Sequence, residues 1–109
     1  MAKFCKETAD LDEVVVKGSI YRIYDQRRGE KAGARWWPEK FMVTLRTRNS
    51  GTFYMPFRTK EEMLKLCFAE EEKVVVKGRL WAKEVRRLKK RILLCVERIS
   101  EKSSYVTYE

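Results

Sequence analysis

Val14-Val15-Val16-Lys17-Gly18 and Val74-Val75-Val76-Lys77-Gly78 are the same five residues, VVVKG, written twice and sixty positions apart. A β-branched triplet favours extended chain. A glycine inside a strand marks a bulge or the close approach of another backbone. The first copy continues as SIYRIY and the second as RLWAKEV, so only five residues recur and no tandem repeat is present. A small barrel closes only where some of its strands curl, and glycine is the residue that permits it. The two copies are therefore read as two curling neighbours in one closed sheet.

The rest of the chain supplies the other strands. Residues 1–12 form a loose, polar lead-in, and a strand spans 13–24. DQRRGEKAGARWWPEK (25–40) has two glycines, a proline and no periodicity, which predicts a long loop. FMVTLRTR (41–48) alternates: Phe41, Val43 and Leu45 against Met42, Thr44, Arg46 and Arg48. Asn49-Ser50-Gly51 signals a turn, and Phe53, Met55 and Phe57 then alternate with Thr52, Tyr54 and Arg58. Pro56 places this run at an edge or a strand end. Thr59 and Glu62 fit a capping box before Met63, Leu66 and Cys67, which predicts one helix over 60–70. Lys73–Val85 reads as a strand, 86–90 as a basic turn, and Arg91–Ile99 as a last strand, apolar on both faces and hence central. Residues 100–109 read as a tail.

The order is strand, strand, strand, helix, strand, strand. That is an all-β chain with one short helix, in the order of the five-stranded OB-fold barrel. A β-sandwich wants about seven strands, and an SH3-like barrel has less use for a capped helix before its fourth strand. In the OB order the first strand pairs with the second on one side and the fourth on the other, which explains why those two strands carry the glycines.

The chain has 109 residues, the length of one domain, here residues 13–99. Its net charge is +9 with 38% charged residues, which biases partners toward a polyanion. Cys5, Cys67 and Cys95 form no CxxC pair, so neither a disulfide framework nor a zinc site is expected, and Cys67 and Cys95 read as small core residues. MAKFCKETADLDE lacks an apolar signal core, and no run approaches the ~18 apolar residues of a membrane helix. The expectation is a cytoplasmic protein with no membrane partner.

Histidine is absent, which removes the usual general base and the Ser-His and Cys-His nucleophile pairs. Glu70-Glu71-Glu72 reads as a solvated helix end, and no GxxxxGK[ST] loop occurs. No enzyme, metal or cofactor is expected. What remains is cations interleaved with aromatic rings. The 25–40 loop holds Arg27, Arg28, Lys31, Arg35 and Lys40 around Trp36 and Trp37. Arg46 and Arg48 lie on the polar face of the second strand, with Tyr54 beside them. Lys77, Arg79, Trp81 and Lys83 share one face of the fourth strand by period two, and Arg86, Arg87, Lys89 and Lys90 follow in the turn. Cations neutralise phosphates and rings stack unpaired bases, so this mixture suits single-stranded nucleic acid. An OB-fold binds on its second and third strands and the loops after its first and fourth.

VVVKGSIYRIY, EEMLKLCFAEEEK, VVVKGRLWAKEV and RILLCVERI together resemble the bacterial-type single-stranded DNA-binding protein family over residues 13–99. Val74, Val76, Gly78, Arg79 and Leu80 match its fourth-strand phrase VxVxGRL, and Val14, Val16 and Gly18 its first strand. The resemblance implies an OB domain that grips single-stranded DNA, acts in replication or repair, and assembles into homo-oligomers. DNA is preferred to RNA through this resemblance alone. Two alternatives stand beside it: an RNA-binding OB module, and an adaptor subunit anchored by Trp36, Trp37 and Trp81.

Overall fold

The two VVVKG copies lie against each other. They are antiparallel, with Val16 opposite Val76 at the centre, Val14 opposite Gly78 and Gly18 opposite Val74. Val14, Val16, Val74 and Val76 point into one core, while Lys17 pairs with Val75 and Val15 with Lys77 on the other face. The computed structural model describes residues 12–25, 41–81, 90–100 and 105–109.

These comprise β1 (Asp12–Asp25), β2 (Phe41–Arg46), β3 (Thr52–Phe57), α1 (Lys60–Leu64), β4 (Lys73–Trp81) and β5 (Arg91–Arg98). The strands close into a barrel in the order β1-β2-β3-β5-β4, the OB arrangement. All pairs are antiparallel except β3 with β5, which is parallel at Phe53–Arg91 and Tyr54–Ile92. β1 is shared: its first half follows β4 as far as Ser19, and its second half follows β2 from Ser19 onward.

Gly18 sits at that hand-over. A Cβ there would stand 2.5 Å from the Arg46 carbonyl oxygen, so only a glycine lets β2 approach. Gly78 meets the same need against β5, where a Cβ would fall 2.9 Å from both Leu93 Cγ and the Leu94 carbonyl oxygen. It lies at a register shift. β4 advances from Lys77 to Arg79 while β5 retreats from Glu97 to Leu94, and Cys95 in that bulge has φ +55°. Both glycines therefore serve the bends for which the repeated phrase was read.

The barrel interior holds Ile20, Val43, Leu45, Phe53, Met55 and Leu93, with the four valines already named, and Met63 of α1 packs into the same cluster. Ile92, Leu93 and Leu94 are all buried, as expected of a central strand.

The helix is shorter than its sequence predicts. Thr59 Oγ1 accepts from the Glu62 amide at 3.1 Å as the cap requires, and Glu62 Oε1 accepts from the Arg58 amide at 3.2 Å. The helix ends at Leu64, and Cys67 takes a left-handed φ of +52° that breaks the turn. The chain is needed elsewhere: the Glu71 amide donates to the Ile20 carbonyl at 2.7 Å, and the Ile20 amide to the Glu72 carbonyl at 2.9 Å.

The cysteines also depart from expectation. Cys67 is exposed and free rather than core, and Cys95 is half-buried and disulfide-bonded. With three cysteines in the chain, thiol titration of the denatured, unreduced protein is expected to find one thiol per chain, and three after reduction. Three before reduction would refute the bond.

The tail is a sixth edge, not a loose end. Tyr108 bridges Val16 in parallel. The Thr107 and Tyr108 amides donate to the Val15 carbonyl at 2.8 and 3.0 Å, and the Lys17 amide donates to the Tyr108 carbonyl at 2.9 Å. The tail thus lines the edge of β1 that β2 does not reach. The Tyr108 ring packs on Phe53 at 5.2 Å between centroids. Among the described residues no helix is long and apolar enough to cross a membrane.

Candidate nucleic-acid interface

Strand register decides which side chains meet outside the barrel. Arg22 pairs with Thr44, Thr44 with Tyr54, Tyr54 with Ile92, and Ile92 with Trp81. The core takes Val43, Phe53 and Leu93 from the neighbouring positions. This second row therefore lies on the face away from that core, a band across all five strands in which Arg22 is exposed, Tyr54 and Trp81 are half-buried, and Thr44 and Ile92 are buried.

Within the band, Lys90 sits over Tyr54, its Nζ 5.0 Å from the ring centroid and 3.3 Å from the hydroxyl, to which it donates. Thr44 is buried, and its Oγ1 has no hydrogen-bond partner, leaving a polar atom that the fold itself does not satisfy. Met42, next along the outward face of β2, is buried as well. The polar face expected of β2 is thus open only at its far end, at Arg46 and Arg48. Tyr54 faces Thr44 rather than those arginines, because Arg46 pairs with Thr52.

Arg46 gains a different ring. A register shift in β1 between Ile20 and Arg22 makes Tyr21 an extra, exposed residue. The Arg46 guanidinium lies 3.8 Å from the Tyr21 ring centroid, and that of Arg22 lies 5.7 Å from it. Both distances are within cation–π range. Tyr21 and Arg22 carry no sequence signal of their own. The bulge that presents them exists only once β1 and β2 have paired.

On β4 the period-two reading holds. Lys77, Arg79 and Trp81 alternate with the core residue Val76 and with Leu80, which packs against that core. Lys77 is already engaged, 3.8 Å from carboxylate oxygens of both Glu13 and Glu97. At the other end of the barrel Arg98 is structural. It donates to the Leu66 and Cys67 carbonyls at 2.9 and 3.1 Å and to the Glu72 carboxylate. That last bond holds the Glu72 carboxyl below its ordinary range. Arg91 donates to the Ser50 carbonyl at 2.6 Å and stands over Phe53 and Tyr108 at 5.5 and 5.7 Å.

Arg27, Arg28, Lys31, Arg35, Trp36, Trp37, Lys40, Lys83, Arg86, Arg87 and Lys89 lie outside the described residues. The segments that carry them are rooted at Asp25 and Phe41, and at Trp81 and Lys90, where β1, β2, β4 and β5 end or begin. Among the described residues no cluster of three or more His, Cys, Asp or Glu side chains could hold a metal. Comparison with known proteins brings no match to a family model, a curated protein or a solved structure.

Proposed function

We propose that this chain is a non-enzymatic protein that binds single-stranded nucleic acid with little sequence preference, and that its strand is DNA, as in replication or repair. The observation that carries the reading is the outward band, in which Tyr54 and Trp81 occupy one register row with Arg22, and Lys90 stands beside Tyr54. Rings placed this way stack bases of any identity, worth roughly 1–3 kcal/mol each, while the cations meet phosphates. In the sequence, residues 26–40 and 82–89 carry further cations, among them Arg27, Arg28, Arg35, Arg86 and Arg87. A cytoplasmic site of action goes with such a ligand.

Titration with oligo-dT is expected to quench tryptophan fluorescence. If about six phosphates are contacted, log K falls against log salt with a slope of roughly −4, a loss of a few hundredfold between about 0.05 and 0.2 M. A flat salt response, or no quenching at any salt, counts against the reading. Competition with a matched RNA oligomer separates DNA from RNA: displacement of DNA by RNA at lower concentration overturns the choice of strand.

A further inference from the structure

Beyond the band, the far end of β2 leads into a second basic feature. A cleft of about 800 Å³ opens where β1 passes from β4 to β2, and its walls include Lys17, Arg46, Arg48, Lys73, Arg98 and Glu109. Five cationic side chains therefore face one carboxylate side chain. Two of the five are engaged: Arg98 with Glu72, and Lys17 with Glu109 at 3.7 Å. Arg46, Arg48 and Lys73 form no salt bridge with any described carboxylate. Lys73 pairs with Ser19, and Ser19 with Arg46, so two of these cations flank one small hydroxyl residue across three adjacent strands. Like charges held this close repel unless an anion lies between them.

We propose that this cleft is a second phosphate-binding station for the same single strand, which crosses the outward band, passes Tyr21 and ends between Lys73 and Arg48. The inference rests on the reading of the band as a single-strand interface. The path is continuous. Arg22 of the band and Arg46 of the cleft both lie against the exposed Tyr21 ring, at 5.7 and 3.8 Å, and Arg48 follows just past the end of β2. The exposed Tyr21 ring, with Arg46 against it, stands at the junction and offers a π-surface to a base. An acidic peptide would use the charges but has no use for that ring.

The test compares wild type with the Arg48→Ala/Lys73→Ala variant, using labelled oligo-dT of about 6 and about 15 nucleotides, a range that spans single-OB site sizes. Neither residue belongs to the band, and both side chains are exposed, so near-ultraviolet circular dichroism is expected to be unchanged. The 15-mer is expected to bind the variant about tenfold more weakly at 0.15 M salt, with a salt slope shallower by about 1.4, the share of two single-strand phosphates. The 6-mer is expected to bind both proteins equally, and Arg48→Lys/Lys73→Arg restores the slope. Equal 15-mer binding by wild type and variant overturns the second station and leaves the band intact. So does loss of poly-glutamate binding with 15-mer binding preserved, which would assign the cleft to an acidic peptide. Failure of wild type to bind either oligomer overturns the single-strand reading itself, and this inference with it.

Discussion

Gly18→Ala is expected to lower stability by about 3 kcal/mol, the upper range for overpacking in a closed core. For a domain near this size each kcal/mol is worth roughly 4–8 °C, so the melting temperature should fall by at least about 12 °C. The added Cβ is itself the problem. It would stand 2.5 Å from the Arg46 carbonyl oxygen, 3.1 Å from the carbonyl carbon and 3.3 Å from Leu45 Cδ1. Two of those atoms are backbone, so no rotamer change relieves the contact, and β1 must part from β2 where the barrel turns. Gly51→Ala is the control. Gly51 has φ +80° with nothing within 4 Å of its Cβ position, so that change carries only conformational strain, about 1 kcal/mol. Thermal melts of the two variants decide the matter. If Gly18→Ala melts no lower than Gly51→Ala, the hand-over is not a point of close approach.

The second large effect lies at the other end of the chain. Removing Tyr105–Glu109 is expected to lower stability by roughly 2–4 kcal/mol and to make the protein self-associate. Four backbone hydrogen bonds disappear: three to Val15 and Lys17, and a fourth from the Asn49 amide to the Glu109 carbonyl at 2.8 Å. Each contributes a net ~0.5–1.5 kcal/mol. The Tyr108 ring, against Phe53 and Arg91, adds its own packing. Without the tail, the Val15–Lys17 backbone groups on that side become an unprotected strand edge. Tyr108→Ala separates the two effects, because it removes the ring and leaves the backbone pairing. It should lose about 2 kcal/mol and stay at the wild-type association state. Sedimentation over a range of concentrations reads the difference. A truncated chain that melts like wild type and does not associate would show that the tail protects nothing.

Legibility in the sequence followed the range over which each signal acts. The β2–β3 hairpin was plain, because alternation and the Asn49-Ser50-Gly51 turn are local. The barrel order was plain too, because a capped helix between the third and fourth strands limits the topology. The helix that forms is shorter than its sequence predicts. Met63, Leu66 and Cys67 keep helical spacing on paper, but Glu71 and Glu72 are drawn into pairing with Ile20, and the chain must break at Cys67 to reach it. The docking of the tail is not legible although Tyr105-Val106-Thr107-Tyr108 is good strand sequence, since Thr107 and Tyr108 acquire an edge partner only when β1 has bent away from β2. Tyr21 was invisible for the same reason: its exposure comes from a register shift, which is a property of two strands and not of one. In the candidate interface, period two put Lys77, Arg79 and Trp81 on one face of β4, whereas Tyr54, expected beside Arg46 and Arg48, faces Thr44. Their assembly with Tyr21, Arg22 and Lys73 needed the paired sheet.

The antiparallel match of one VVVKG copy with the other has a consequence for refolding. A duplex of identical pentapeptides looks the same when its members are exchanged, so a contact made within a chain and one made between two chains are chemically equivalent. Only proximity distinguishes them. Closing a loop of about sixty residues sets an effective concentration that bulk protein must exceed before neighbours trade strands. Dilution is therefore expected to favour pairing within a chain over exchange of strands between chains.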